Sequence, residues 1–164
     1  MKRSDPTVEA LGALPALADC ARSELSWMAR HLDEVRLAPG QVLTVEGRAG
    51  REGFLLVEGS AVVYRDGAVA AELGPGHLVG LVALLDAQVH TAQVVASSPL
   101  TTLVFDRRGL EALLSVPAVA RTARAQLARR IRLADARADR QAPPLPGDAT
   151  PSDLRREHAD AMAR

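Results

Sequence analysis

The sequence predicts an α+β fold that is mainly β: a sandwich or jelly roll, with helices leading in and two helices closing it. Three observations carry this. Between Asp33 and Phe105, short runs of β-branched and aliphatic residues recur between turn signals, about every 8–12 residues. Outside that stretch the apolar residues fall at helical spacing instead. A hydrophobic content of 48% over 164 residues suffices for one core, which must be aliphatic because Trp27, Phe54, Tyr64 and Phe105 are the only aromatics. One domain with tails is therefore expected. Residues 1–10 form a frayed lead, and 11–140 the folded part, with its β portion at 33–105 and closing helices at 106–140. Residues 141–164 form a Pro-rich linker and short tail.

The elements follow in order. Residues 7–13 open a helix that Leu14-Pro15 breaks. A second helix is expected over 19–32, where Leu25, Met28 and Leu32 share a face beside Trp27, and Asp19 or Ser23 can cap the start. From Asp33 the period becomes two. Val35 and Leu37 alternate, Pro39-Gly40 turns, and 42–46 is the next strand. Strands at 54–57 and 61–64 flank Glu58-Gly59-Ser60. Asp66-Gly67 is the strongest hairpin signal, because both residues tolerate the positive φ of a type I′ turn. The chain returns over 68–73, turns at Gly74-Pro75-Gly76, and gives last strands at 91–96 and 100–105. Gly40, Gly47, Gly53, Gly59, Gly67 and Gly76 are expected as positive-φ punctuation.

Asp106 is placed to cap a helix whose apolar face is Leu110, Leu113 and Leu114. Pro117 suits the first turn of a final helix running to about Arg140. Leu127, Ile131, Ala134 and Ala138 form one stripe along it, which predicts a homodimer through this helix. Pro143, Pro144 and Pro146 end helical structure. The tail from Ser152 has the pattern of a capped helix too short to stand alone, suited to docking on a protein partner.

Composition excludes several classes of function. Formal net charge is zero and aromatics are scarce, which removes the electrostatic and base-stacking cases for nucleic acid. Residues 1–105 are net acidic and 106–140 net basic, the latter reading as a solvated arginine face on a helix. Cys20 is the only cysteine, so no internal disulfide can form and a reducing cytoplasm is expected. The apolar run 78–85 is too short to cross a bilayer, so no membrane role is expected. His31, His77, His90 and His158 are scattered, without metal spacing, and no nucleophile motif is present. The chain reads as non-enzymatic, without a metal or resident cofactor.

The most informative stretch is 73–96, L-G-P-G-H-L-V-G-L-V-A-L-L-D-A-Q-V-H-T-A-Q-V-V-A. It resembles the phosphate-binding cassette of the cyclic nucleotide-binding family, usually G-D-x-x-G-E-x-A-L-L followed by R-[ST]-A. Gly76, Gly80, Ala83, Leu84, Leu85, Thr91 and Ala92 match; the usual Glu is Leu81, the usual Arg is His90, and His77 stands where Asp is common. Pro39-Gly40-Gln41-Val42-Leu43 with Glu46-Gly47, the run from Phe54 to Val62, and Gln126 to Ile131 resemble three further family elements in the right order.

The resemblance, over 11–140, implies an eight-strand double-stranded β-helix or jelly roll and a ligand set of Gly80, Leu81, Val82, Ala83, His90 and Thr91. It also implies contacts to the pocket or a second subunit from Leu127, Ile131, Ala134 and Asp135 on the long helix. The implied ligand is a cyclic nucleotide or another anionic small-molecule effector. In the family an Arg makes a charge-assisted bond to the cyclic phosphate and a Glu accepts the ribose 2′-hydroxyl. Leu81 accepts nothing, and His90 is mostly uncharged at neutral pH. Each lost bond to a charged group costs about 1.5–3 kcal/mol. Two of them amount to roughly two to four decades of affinity. Leu81→Glu with His90→Arg is accordingly expected to restore binding. Ala134 and Asp135 stand about where some members place hydroxyls against adenine, and neither offers one.

Three functions remain open on the sequence. The first is a stand-alone sensor or regulatory domain with weak or lost cyclic AMP and cyclic GMP binding. The second is an interaction adaptor with a decayed pocket, working through the long helix and tail. The third is a truncated transcription regulator, since 141–164 is too short and Pro-rich for a DNA-binding domain.

Overall fold

The computed structural model describes residues 5–141. The linker and tail expectations at 142–164 lie outside the described residues. Internal packing divides the chain after Leu127.

The first unit opens with α1 (Pro6–Gly12), capped by Asp5 Oδ1, which accepts from Thr7 N at 3.0 Å. Residues 6–10, which the sequence groups with a frayed lead, thus belong to a helix, and Val8 is buried. A 3-10 turn (Pro15–Leu17) follows, then α2 (Arg22–Ala29). This helix is shorter than its apolar pattern, and neither Asp19 nor Ser23 caps it. Ala21 occupies the cap position, and its N–H donates to the Glu24 carboxylate at 2.8 Å, so the helix is closed from inside its first turn. Leu25, Met28 and Leu32 are buried as expected, while Trp27 is 49% exposed against the His31 ring.

Eight strands follow: β1 (Asp33–Leu37), β2 (Val42–Thr44), β3 (Gly53–Glu58), β4 (Ala61–Arg65), β5 (Ala68–Leu73), β6 (Leu78–Val79), β7 (Gln93–Ala96) and β8 (Leu100–Phe105). They form two antiparallel four-stranded sheets, β1-β8-β3-β6 and β2-β7-β4-β5. This is the jelly roll the sequence predicts, with α3 (Leu81–Asp86) inserted between β6 and β7. Asp66 and Gly67 both have positive φ, 51° and 75°, as their turn requires.

Gly53 is a correction. It lies inside β3 and is not among the positive-φ glycines; its role is space, since a Cβ there would overlap the Phe105 ring. Gly80 joins the positive-φ set instead, at 80°.

Alternation along the strands sorts side chains into two cores. Leu56, Val79 and Leu100 from one sheet meet Ala61, Val94 and Ala96 from the other. Leu55, Leu78, Leu103 and Phe105 point the opposite way, into a larger cluster with the helices. The first sheet is therefore covered on both faces, which is why β3 reads as an unbroken apolar run. Two helices close the unit's sequence. Asp106 caps α4 (Arg107–Leu114) through Gly109 N at 2.9 Å, and Pro117 opens α5 (Pro117–Gln141). Val119 and Ala123 bury the start of α5 in the larger cluster, with Leu127 packed against it. In the second unit α5 continues to Gln141, with Ile131 and Leu133 exposed. Among the described residues no helix is long and apolar enough to cross a membrane.

Candidate ligand-binding site

The cassette region is built by a backbone reversal. At Gly80 the chain turns from β6 into α3 in the left-handed conformation, with the Glu52 carbonyl 2.8 Å from where a Cβ would stand. Only glycine fits both conditions. The turn sends Leu81 and Leu84 inward at i, i+3 spacing, and Leu81 is 2% exposed within the helix-side core. Ala87 ends α3, also with positive φ, and Gln88 N donates to Ala83 O at 3.1 Å.

Residues 88–90 then pair with the loop joining β2 to β3. Gly47 N donates to His90 O at 2.9 Å, His90 N to Arg48 O at 2.8 Å, and Gly50 N to Gln88 O at 3.3 Å. This loop pairing occupies the chain before β7, so β7 begins at Gln93 rather than Thr91. Thr44, at the end of β2, is buried and donates its hydroxyl to Ala92 O at 3.0 Å, fixing the far side of the same junction.

A cavity of about 360 Å³ lies between these segments, lined among others by Thr44, Arg48, Arg51, Glu52, Phe54 and His90. His90 is partly buried, and its pKa is pushed below the ordinary value by desolvation. The imidazole is thus neutral at physiological pH. A six-residue α3 adds little dipole, so any fixed positive charge here comes from side chains.

Residues 34–116 match the model of the cyclic nucleotide-binding domain. The chain belongs to that family. An acetyltransferase, Pat, from Mycolicibacterium smegmatis is 33% identical over 112 residues, 65% of this chain and 33% of that protein. The chain thus spans a third of this curated relative. A solved cAMP-binding acyltransferase from Mycobacterium smegmatis is 31% identical with a TM-score of 0.66, covering 76% of this chain and 41% of that one. The catabolite activator protein of Thermus thermophilus is 29% identical with a TM-score of 0.64, covering 76% and 62%.

Within this cyclic nucleotide-binding domain the structure brings Gly80, Ala83 and His90 together. A Cβ on Gly50 would overlap Ala83 and stand 2.9 Å from His90 Cε1, so all three pack beneath the loop. Leu81 is elsewhere, filling protein core rather than lining the cavity. Val82 is partly buried. Thr91 is exposed, and its carbonyl accepts from Arg65 Nε at 3.3 Å. On α5, Leu127 packs on the core, whereas Ile131, Ala134 and Asp135 are exposed.

Two roles are missed by the sequence reading. Arg48, Arg51 and Glu52 line the cavity from the loop; the charged, Gly-punctuated run E-G-R-A-G-R-E-G between two strands was the available signal. Gln126 clasps the approach to the cassette. Its Oε1 accepts from Leu78 N at 3.0 Å and its Nε2 donates to Gly76 O at 3.0 Å.

Proposed function

We propose that this chain is a non-enzymatic regulatory sensor domain. Its cavity takes an anionic small-molecule effector, and it binds cyclic AMP and cyclic GMP weakly. The observation that carries this is His90. It holds the position of the cassette arginine, beside the cavity, and burial keeps it uncharged. A neutral imidazole offers the cyclic phosphate one ordinary hydrogen bond in place of a charged fork. Relatives named as cAMP-binding and as a catabolite activator support a regulatory role for the shared domain. The likeness to Pat covers a third of that protein. A cytoplasmic location fits the free thiol of Cys20.

Calorimetric titration with cyclic AMP, cyclic GMP and cyclic dinucleotides tests the reading. Cyclic AMP and cyclic GMP should bind more weakly than low micromolar. A constant at or below that level would overturn the proposal.

A second reading, an interaction module working through α5, has its own observation. Ile131 and Leu133 are 61% and 52% exposed on a 25-residue helix. Because Leu127 packs on its own core, the stripe left for a homodimer is Ile131, Ala134 and Ala138. Ile131→Asp should then convert a dimer to a monomer by light scattering. A wild-type chain that is monomeric at high micromolar concentration rejects it.

A further inference from the structure

The cavity has lost the family's cation and hydroxyl acceptor on the cassette side, yet its opposite wall carries both kinds of group. Arg48, Arg51 and Glu52 line it from the β2–β3 loop. Among the described residues neither guanidinium is ion-paired, although Glu52 borders the same space. The loop is also well placed. Arg48 is the residue whose carbonyl accepts from His90 N at 2.8 Å, so an arginine stands directly across the backbone pairing from the cassette position that lacks one. Two further bonds, from Gly47 to His90 and from Gly50 to Gln88, fix the loop on either side of it. Gly50 allows this contact because any side chain there would strike Ala83.

We propose that the anion-holding charge of this domain has moved from the cassette to the facing loop. Arg48 and Arg51 hold the phosphate of a small phosphorylated sugar or nucleotide, and Glu52 accepts one of its hydroxyls. The proposal rests on the sensor reading above, because both use one cavity. Planar guanidinium forks match phosphate oxygens in pairs, and a dianionic phosphomonoester gains more from two of them than a monoanionic cyclic phosphodiester does. The pair outweighs the single Glu52 carboxylate, leaving the cavity net positive with His90 neutral. The expected ligand is therefore a phosphomonoester with a free hydroxyl, preferred over cyclic AMP.

The test is calorimetry on the full chain with adenosine 5′-monophosphate, ribose 5-phosphate, cyclic AMP and inorganic phosphate as probes. The phosphomonoesters should bind more tightly than cyclic AMP. The double variant R48A/R51A should weaken them by roughly tenfold or more. Arg36→Ala, which removes an exposed arginine of β1 outside the cavity lining, should leave them within twofold at neutral pH. Glu52→Ala should weaken ribose 5-phosphate and spare inorganic phosphate. Circular dichroism and thermal melting confirm that each variant is folded, as expected for exposed positions. A probe that binds wild type and R48A/R51A equally overturns the loop assignment and leaves the sensor reading standing. A loss in Arg36→Ala as large as in R48A/R51A does the same. Absence of binding by every probe at millimolar concentration overturns the loop assignment, while an added cyclic dinucleotide that binds would still uphold the sensor reading.

Discussion

The cassette segment at 78–92 and the loop at 45–52 lie against each other and are built on opposite terms. In the cassette Leu78, Val79, Leu81, Ala83, Leu84 and Ala92 are buried, and its one titratable ring beside the cavity is held neutral. In the loop every residue from Val45 to Ala49, and Arg51 and Glu52, is exposed. The first contributes shape through packing, the second charge through side chains. A family motif can thus keep its backbone course for reasons of core packing alone. Matches at Gly80, Ala83 and Leu84 attest to the fold, while the cavity's chemistry is decided across the gap.

Substitutions sharpen the contrast: in the buried segment they should cost stability, and in the loop they should not. The largest effect is expected at Leu81. Leu81→Ala should cost about 2–5 kcal/mol in urea denaturation. Leu81→Glu would bury a carboxylate among Leu55, Leu78 and Leu84 and should destabilise at least as much. On this packing, Leu81→Glu with His90→Arg should lose stability before it gains affinity. A folded double variant with tight cyclic AMP binding would show that α3 can turn residue 81 toward the cavity.

Gly80→Ala should come next, at about 1–3 kcal/mol, for a left-handed backbone and a carbonyl in the way. A loss below half a kcal/mol would mean the turn relaxes freely. Gln126→Ala strands Leu78 N and Gly76 O, at roughly 1–3 kcal/mol if no water replaces it. Gln126→Glu should recover only part, since it keeps the acceptor for Leu78 and removes the donor for Gly76. Equal melting of Gln126→Ala and wild type would show that the clasp carries no weight.

The smallest effect is a pH dependence. Burial depresses the folded pKa of His90 below the 6.5 it regains on unfolding. The unfolded chain therefore binds this proton more readily, so the contribution of His90 is complete above pH 6.5 and is lost as pH falls through the folded value. Between neutral and mildly acid pH, wild type should lose slightly more stability than His90→Gln. Arg48, Arg51 and Glu52 face the same cavity in both proteins and cancel in the difference. Parallel profiles would rule this out.

Local signals read the fold well where they are self-contained. Asp66-Gly67 needs only its own dihedral preferences, and Asp106 caps through a bond three residues on. Signals that depend on distant partners read poorly. β6 is two residues long and is defined by Phe54 and Leu55 across from it. Gly53 is glycine because of Phe105, a neighbour invisible along the chain. The same holds at the cavity. The motif register assigns position 81 to the ligand, whereas its i, i+3 relation to Leu84 matches the core cluster that both residues occupy. Arg48 and Arg51 become candidates only once 47–50 folds back onto 88–90.

The Gln126 clasp turns one amide into a gauge of the helix. Leu78 is 9% exposed, and its N–H is held by a side chain 48 residues away rather than by the ladder of its own sheet. That proton can exchange with deuterated solvent only after Gln126 lets go. Exchange at this single site would therefore time the loosening of the start of α5, and a ligand seated in the cavity would reveal whether it tightens or frees the helix by slowing or speeding that one exchange rate.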